Sequence, residues 1–234
     1  RWIRVDPSVA SGMAFIMVNE QGQNRIIVTP GANARLSAHD ADNAEDAIAG
    51  AQVLVAQFES PPGVVERALE LARRHGVRTI LNPAPAREVG DDLLALVDVI
   101  TPNEAEAHAL AGLSDDDFSP EAAAHALRER GVKKVVLTMG ESGAYVLDET
   151  GGRRISGVTV PVVDTTGAGD AFTGALAVAL ARGLSIDEAA GYANLGGAFC
   201  VTRPGVVPGL GTEQDIRSLR DANPESAPKI GGAL

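Results

Sequence analysis

The chain has 234 residues, a formal net charge of −11 and 45% hydrophobic residues. This length is enough for one large α/β domain or two small ones, and the apolar fraction is enough for a substantial core. The acidic balance, together with the lack of any basic run of five or more residues, argues against a nucleic-acid-binding protein.

Cysteine usage and apolar runs bear on the compartment. Cys200 is the only cysteine, so the chain can form no internal disulfide bond. This usage fits a reducing environment, and we expect a cytoplasmic protein. No uninterrupted apolar run reaches the length of a transmembrane helix, so we expect no contact with a membrane.

Residues 11–30 are predicted to form two strands joined by a polar turn at residues 19–24. Both faces of the first strand are apolar: Ala14, Ile16 and Val18 lie on one face and Met13, Phe15 and Met17 on the other. A strand of this kind must be covered on both sides. It belongs either to the domain core or to a lid or dimer surface, and the pattern alone leaves both alternatives open.

From residue 51 onward, short apolar strands alternate with amphipathic helices. The predicted strands are residues 51–58, 77–82, 96–103 and 133–140, and the predicted helices are residues 60–76, 104–112, 119–131, 168–182 and 185–201. Ser60 and Ser119 each precede a proline and are expected to cap their helices. The alternation predicts an α/β fold with three layers, in which helices cover both faces of a mostly parallel sheet.

The domain organisation is predicted to be simple. Residues 1–222 are expected to form one domain, with a lid hairpin at about residues 11–29, because the sequence shows no internal repeat and no linker. Residues 223–234, NPESAPKIGGAL, have the composition of a disordered tail.

Polar residues follow each predicted strand of the sheet. They are Glu59, Asn82, Asn103, Glu104, Glu106, Gly140, Ser142 and Gly143. Any one of them could belong to an ordinary turn. Ligands of open parallel sheets bind beyond the carboxyl ends of the strands, so together these residues predict a site at one edge.

The stretch VDTTGAGDAFTGALAVALARG, residues 163–183, places glycines at the start of a helix. Gly167 and Gly169 allow a ligand to approach the backbone, and the free amides of the first helical turn favour an anion such as a transferring phosphoryl group. Asp170 has two interpretations. It either compensates the helix dipole or acts as the base that accepts a hydroxyl proton.

Two common nucleotide motifs are absent from the sequence. It contains no G-x-x-x-x-G-K-[ST] loop, and GAGDAFTG does not fit G-x-G-x-x-G. A P-loop ATPase and a classical dehydrogenase are therefore disfavoured.

The stretch DTTGAGDAFTGAL resembles the C-terminal signature of ribokinase-like sugar kinases, the phosphofructokinase-B type family. Six further stretches match that family: PGANA, QFESP, LNPAPARE, DVITPNEAEA, LTMGESGA and VTRPGVVP. The resemblance runs from about residue 11 to about residue 219. It implies phosphorylation of D-ribose to D-ribose 5-phosphate with ATP and Mg²⁺. The alternatives are a fructokinase, ketodeoxygluconate kinase or nucleoside kinase activity, or an inactive nucleotide-binding fragment.

The resemblance also implies roles for individual residues. Asp170 would be the catalytic base, and the amides of Gly167, Ala168 and Gly169 would form the anion hole. Glu59 and Asp170 would bind the sugar. The implied ATP-binding residues are Asn103, Thr138, Gly140, Ser142, Gly143, Gly169 and Asn194.

Two cation sites are implied in the same way. Asn103 and Glu106 match an N-x-x-E motif that organises Mg²⁺ through water. The implied potassium site consists of Asp164, Thr166, Cys200, Arg203, Gly205 and Gly209. Gly209 stands where the family often has serine, so one side-chain oxygen is missing from that site.

The family's N-terminal segment has no match within residues 1–234. That segment carries an early N-x-D sugar contact and a G-G-K-G-A-N stretch. The chain is therefore expected to be an N-terminally truncated member of the family, and the complete enzyme is expected to form a homodimer through the lid. The expected partners are ATP and a small sugar.

Overall fold

The computed structural model describes residues 2–18 and 24–224. The turn predicted at residues 19–24 falls largely outside these ranges, as does the predicted tail from residue 225 onward. The described residues contain one six-stranded sheet with helices on both faces and one separate two-stranded sheet.

The helices and strands have the following bounds. The small sheet consists of β1 (Met13–Val18) and β2 (Asn24–Thr29). The large sheet consists of β3 (Val53–Gln57), β4 (Arg78–Asn82), β5 (Val99–Ile100), β6 (Lys134–Thr138), β7 (Ala144–Asp148) and β8 (Gly151–Ile155). The α-helices are α1 (Ala38–Asn43), α2 (Glu45–Ala49), α3 (Pro62–Arg74), α4 (Asp91–Leu94), α5 (Glu104–Ala111), α6 (Pro120–Glu129), α7 (Ala168–Ala181), α8 (Ile186–Val201), α9 (Val206–Gly209) and α10 (Glu213–Ala222). Gly31–Arg35 and Gly140–Ser142 form 3-10 turns.

The large sheet has the strand order β3-β4-β5-β6-β7-β8. The first four strands pair in parallel, and β7 and β8 continue the sheet in antiparallel pairing. The mostly parallel three-layer fold predicted from the sequence is therefore confirmed. The carboxyl ends of β3 to β6 meet at one edge, where the site was predicted.

Neighbouring residues of each strand enter different cores, because side chains alternate between the two faces of a sheet. Leu81 and Ile100 pack against α3 to α6 on one face. Ile80 and Val99 pack against α7, α8 and α10 on the other. Both faces of the central strands β4, β5 and β6 are thus buried, which explains why these strands are apolar without a polar alternation.

Of the two predicted helix caps, one is confirmed and the other is wrong. Ser119 accepts a hydrogen bond from the amide of Ala122 and caps α6, as predicted. The prediction for Ser60 is wrong, because α3 begins at Pro62 and its N-cap is Pro61. A residue that precedes proline is held out of the helical region, so Pro62 keeps Pro61 extended and sets the start of the helix.

The predicted hairpin at residues 11–30 is confirmed, since β1 pairs with β2 in antiparallel register. The alternative that this hairpin belongs to the domain core is wrong. Met13 is 54% exposed and Phe15 56% exposed on one face, and Ile16 is 44% exposed on the other. The two strands form a sheet of their own, and no described residue buries these side chains. The other two alternatives, a lid and a dimer surface, stay open.

No helix in the part of the chain that the structure describes combines the length and the apolar character needed to cross a bilayer.

An ionic cluster joins the β7–β8 hairpin to α8. Arg153 Nη2 lies 2.9 Å from Asp148 Oδ2, and Arg153 Nε donates to Asp187 Oδ1 at 2.7 Å. Asp148 is buried. Hydrogen bonds from Arg153 and then from Thr150 hold the pKa of the Asp148 carboxyl far below its usual range. This cluster fixes the edge of the sheet against the start of α8.

We expect Asp148→Asn to lower the free energy of unfolding by about 1–3 kcal/mol at pH 7, because a part-buried guanidinium loses its charged acceptor. The folded-state pKa lies below the unfolded value of about 3.9, so this stabilisation is complete above that pH and is lost as pH falls below it. The free energies of unfolding of the wild type and the variant, measured with urea, should therefore differ most at pH 7, and the difference should become smaller as pH falls from about 4 to about 2.5. The exposed Asp116→Asn serves as control, and a difference that does not vary with pH would contradict the assignment.

Candidate active site

The first turn of α7 is built on a left-handed glycine. Gly167 is the N-cap with φ +83°, and a Cβ there would lie 2.9 Å from Val206 Cγ1. A side chain is therefore disfavoured both by the backbone conformation and by the contact. Ala168, Gly169 and the exposed Asp170 form the turn that follows. The Ala168 amide donates a long hydrogen bond to the Thr165 carbonyl at 3.3 Å. The amides of a first helical turn otherwise have no acceptor within the helix and can face an anion.

Asp164 fastens the loops on either side of this turn. Its Oδ1 accepts the amide of Thr166 and its Oδ2 accepts the amide of Gly205, each at 2.9 Å. These hydrogen bonds, from Thr166 first, lower the pKa of the Asp164 carboxyl. The carboxylate is thus ionised and holds residues 164–166 against the loop that follows α8.

The loops joined by Asp164 bring together the oxygen donors predicted for potassium. The buried Cys200 donates its Sγ hydrogen to the Thr166 carbonyl at 3.6 Å, and the Arg203 amide donates to the Cys200 carbonyl at 3.2 Å. Backbone carbonyls are oxygen ligands of the kind that potassium takes in proteins. The carbonyls of Thr166 and Cys200 lie in or next to the loops that Asp164 joins, and their role in a potassium site stays a prediction.

The structure gives a physical reason for the departure at Gly209. A Cβ at this position would lie 2.8 Å from Cys200 Sγ and 3.0 Å from the Cys200 carbonyl oxygen. The cysteine side chain thus fills the space that a serine would need. The glycine at position 209 is therefore linked to the cysteine at position 200, because the sulfur of Cys200 leaves no room for a side chain on residue 209.

A cavity of about 270 Å³ lies beside the start of α7, and we call it the inner cavity. Five of the residues predicted to bind ATP line it: Thr138, Gly140, Gly143, Gly169 and Asn194. Most of the other lining residues are apolar, among them Val158, Val160, Val162, Phe172, Ala198 and Val201. A small apolar cavity with a few polar groups is typical of a ligand site.

Two glycines let the walls of the inner cavity touch at the backbone. A Cβ on Gly143, where φ is +94°, would collide with the Ile155 carbonyl oxygen, and a Cβ on Gly157 would collide with the carbonyl oxygen of Glu141. Asn194 Nδ2 donates to the carbonyls of Ile155 and Ser156 at 3.2 and 3.0 Å. The described bonds of Asn194 thus hold the loop that forms one wall.

Gly157 was not among the residues predicted from the sequence. It lies in a loop after β8, and a lone glycine in a loop gives no signal of a close backbone contact. Its importance depends on Glu141, which is distant in the sequence but adjacent in the fold.

The predicted magnesium motif forms the N-terminal cap of α5. The Asn103 amide donates to Glu106 Oε2 at 2.9 Å, and the Glu106 amide donates to Asn103 Oδ1 at 2.8 Å. The neighbouring Pro102 carbonyl accepts the amide of Thr138 at 2.9 Å. The cap therefore stands beside a wall of the inner cavity.

Electrostatics couple Glu106 to Asp170. Burial raises the pKa of Glu106, and the negative charge of Asp170 raises it further. Within residues 2–18 and 24–224, no group of three or more His, Cys, Asp or Glu could hold a metal ion. The donors fit Mg²⁺ that is carried by a nucleotide and reached through water, since Mg²⁺ commonly keeps several waters and binds few carboxylates.

Asp170 lines a different space from its neighbour Gly169. It lies in an open groove of about 430 Å³, the Asp170 groove, whose walls include Gly174, Val178 and Leu210. Gly169 lines the inner cavity. The first turn of α7 thus separates the two spaces, with the turn's amides at the boundary.

Two further predicted site residues, Glu59 and Ser142, line neither space, and the same is true of Asn103 and Gly167. Glu59 is exposed and follows β3 at the predicted edge of the sheet. Ser142 ends the 3-10 turn, and its amide donates to the Met139 carbonyl at 3.1 Å. Their predicted roles in sugar and ATP binding stay predictions.

Comparisons with known proteins agree with this geometry. The model of the pfkB family carbohydrate kinases matches residues 1–212. The chain is 39% identical over 206 residues to a ribokinase of Haemophilus influenzae, covering 88% of this chain and 67% of that protein. It is 35% identical over 219 residues to a deoxyribokinase of Salmonella typhimurium, covering 93% of this chain and 70% of that protein.

Solved structures have the same fold. A ribokinase of Thermotoga maritima aligns with a TM-score of 0.81 and 34% identity, covering 94% of this chain and 72% of that one. An Arabidopsis thaliana ribokinase complexed with ribose and ATP aligns with a TM-score of 0.79 and 29% identity, covering 89% and 68%. Phosphofructokinase-2 of Escherichia coli in complex with potassium aligns with a TM-score of 0.70 and 25% identity, covering 86% and 67%.

The chain thus spans about two thirds of the length of the Haemophilus relative that it matches. The family model covers most of this chain, and the signature around Asp170 lies within the match. The chain belongs to the pfkB family of carbohydrate kinases.

Proposed function

We propose that this protein is an ATP-dependent sugar kinase that converts D-ribose to D-ribose 5-phosphate, with Asp170 as the general base. One observation carries the proposal. Gly169 and Asp170 are adjacent in the first turn of α7, yet they line the inner cavity and the Asp170 groove respectively. This arrangement suits a phosphate donor on one side and an acceptor hydroxyl on the other. We also propose that residues 1–222 form one kinase domain.

The inner cavity suits the nucleotide. Its apolar wall of Val158, Val160 and Phe172 can take a base, and the turn at Gly140–Ser142 together with α7 bounds the phosphate side. The contact between Gly143 and the loop held by Asn194 fixes the distance between these walls. We assign Thr138, Gly140, Gly143 and Asn194 to the ATP site, together with Asn103 and Ser142 beside it.

The amides at Gly167, Ala168 and Gly169 suit the transferring phosphoryl group. Positioned donors of this kind stabilise the charge that develops during transfer. Mg²⁺ bound with ATP would neutralise part of the phosphate charge, and Glu106 and Asn103 would reach it through water. The role of the protein is therefore mainly positioning and electrostatic stabilisation.

Asp170 completes the step on the acceptor side. Its carboxylate accepts the proton of the sugar hydroxyl as that oxygen forms a bond to the γ-phosphorus. The bond between the γ-phosphorus and the bridging oxygen breaks, and ADP leaves. Glu59, on the same edge of the sheet, is proposed to bind a sugar hydroxyl.

Potassium and a second subunit belong to the same proposal. Asp164 and the backbone carbonyls of Thr166, Cys200, Arg203 and Gly205, with the position of Gly209, are proposed to hold K⁺ next to the anion hole. The exposed apolar hairpin β1–β2 is proposed to contact a second copy of the chain. A cytoplasmic location fits the single reduced cysteine and the use of ATP.

In the complete enzyme, Asp170→Asn should reduce kcat by at least about a hundredfold, because an amide cannot accept the hydroxyl proton. A coupled assay of ADP release with D-ribose measures the rate, and calorimetry should give an unchanged affinity for ADP. The exposed Asp116→Asn is the matched control. Near-normal turnover by Asp170→Asn would assign Asp170 to the helix dipole alone.

The same assay identifies the acceptor. D-Ribose should have a higher kcat/KM than 2-deoxy-D-ribose, D-fructose, 2-keto-3-deoxygluconate or inosine. A preference for 2-deoxy-D-ribose would agree instead with the similarity to the Salmonella deoxyribokinase. ADP binding without turnover on any of these acceptors would support the nucleotide-binding alternative.

Gly157→Ala should weaken ADP binding at least about tenfold, or about 1.4 kcal/mol, because the added Cβ collides with the Glu141 carbonyl oxygen and separates the walls of the inner cavity. The control is Gly63→Ala in α3, where a Cβ meets nothing within 4 Å. Calorimetry measures the affinity, and circular dichroism verifies the fold. Unchanged affinity in a folded Gly157→Ala protein would remove the inner cavity from the nucleotide site.

Turnover should rise with K⁺ and respond less to Na⁺, because the carbonyls beside Asp164 suit the larger ion. The double variant Cys200→Ala/Gly209→Ser supplies a serine oxygen and removes the sulfur that blocks it. It should reach half-activation at a lower K⁺ concentration than the wild type. Equal rates in K⁺ and in tetramethylammonium would eliminate the cation site.

A further inference from the structure

A second large cavity lies at the edge of the sheet opposite the candidate active site. It has a volume of about 770 Å³ and opens at the amino ends of β3 to β6, against the turn between α7 and α8. We call it the basic cavity. Its polar lining residues are Gln52, Arg73, Arg78, Asp98, Lys133, Lys134 and Ser185.

The charge of the basic cavity contrasts with that of the chain. The chain has a net charge of −11. The cavity is lined by two arginines, two lysines and only one carboxylate, Asp98. A concave surface lined by one sign of charge attracts ligands of the opposite sign.

The two arginines are anchored without being neutralised. Arg78 Nη1 donates to the Leu180 carbonyl at 2.8 Å, and Arg73 Nη1 donates to the Ala95 carbonyl. Both acceptors are uncharged. Neither guanidinium forms an ion pair with any carboxylate in the described ranges, 2–18 and 24–224. Each guanidinium has five N–H donors, so one bond positions the group and leaves donors for a ligand.

The acidic groups nearby are already engaged. Asp98 Oδ2 accepts the amide of Thr79 at 2.9 Å, and its Oδ1 accepts Lys133 Nζ at 2.5 Å. Lys134 pairs with the exposed Glu149 at 3.3 Å. Each lysine of the cavity therefore has a carboxylate partner, whereas the two arginines form no ion pair within the described residues.

The start of α8 also carries acids, and they have partners of their own. Asp187 binds Arg153, and Glu188 accepts the amide of Ser185 at 3.0 Å. Of the cations that line the cavity, Arg73 and Arg78 are therefore those with no ion-pair partner among the described residues.

We propose that the basic cavity binds an oxyanion of the phosphate class through Arg73 and Arg78. Planar guanidinium groups bind phosphate through paired N–H···O bonds, and a charge-assisted bond is stronger than a neutral one. The phosphate is either free or part of a small phosphorylated metabolite. The site is separate from the inner cavity, and it does not depend on the proposed kinase function.

Titration with sodium phosphate at constant ionic strength, followed by NMR of the arginine side chains and backbone amides, tests the site. Saturable shifts are expected at Arg78 and in the turn at residues 181–185. Arg73→Gln and Arg78→Gln should each weaken binding at least about fivefold. The control is Arg154→Gln, whose exposed side chain pairs with Glu121 on another surface.

A parallel titration with glycerol 3-phosphate distinguishes a free anion from a phosphorylated metabolite, because tighter binding of the ester identifies the metabolite. If Arg78→Gln fails to fold, Arg73→Gln still decides the matter. Shifts confined to residues 167–170, linear shifts that chloride reproduces, or equal affinity in all variants would overturn the proposal.

Discussion

The start of α7 is the constraint on which the candidate site depends. Gly167 must adopt a left-handed conformation there, and the Asp164 carboxylate must hold the loops on both sides. Two backbone amides on one ionised carboxylate are charge-assisted hydrogen bonds, which are stronger than neutral ones. Because the Asp164 carboxylate holds these two loops together, the first turn of α7 is fixed between the inner cavity and the Asp170 groove. Positioning of this kind is what phosphoryl transfer requires most from a protein.

The distribution of charge follows the architecture of the sheet. At the carboxyl ends of the strands, burial raises the pKa of Glu106 and the negative charge of Asp170 also raises it, so two acidic residues lie near each other at this edge. At the amino ends, the partners of Arg73 and Arg78 within the described part of the chain are backbone carbonyls. The two edges of one sheet therefore favour ligands of different character, although both are assembled from the same strands and helices.

The sequence predicts the parts of the fold that depend on local pattern. Alternating apolar strands and helices predict the parallel sheet, and Ser119 before a proline predicts the cap of α6 correctly. Ser60 shows the limit of such patterns, because two consecutive prolines shift the helix start beyond the serine. The β7–β8 hairpin was not predicted. In β7 every residue is buried, and β8 is rich in glycine and arginine, so neither shows the alternation expected of a half-buried strand.

For the candidate site too, some features could be predicted from the sequence and others could not. Of the seven residues predicted to bind ATP, five line one cavity, because motifs at strand ends converge on one edge: Thr138, Gly140, Gly143, Gly169 and Asn194. Asn103 and Ser142 do not line it. Gly157 and the steric link between Cys200 and Gly209 could not be predicted, since both depend on contacts between distant segments. The sequence likewise could not predict that the faces of β1 are exposed, because an apolar strand has the same residue pattern in a core and on a contact surface.

A crystal structure of the protein with ADP, Mg²⁺ and D-ribose tests the central claim most directly. The claim is that the first turn of α7 separates donor from acceptor. The account predicts ADP in the inner cavity, against Thr138 and Gly143, and a ribose hydroxyl within about 2.6–3.2 Å of the Asp170 carboxylate in the Asp170 groove. ADP in the Asp170 groove, or ribose bound away from Asp170, would contradict it.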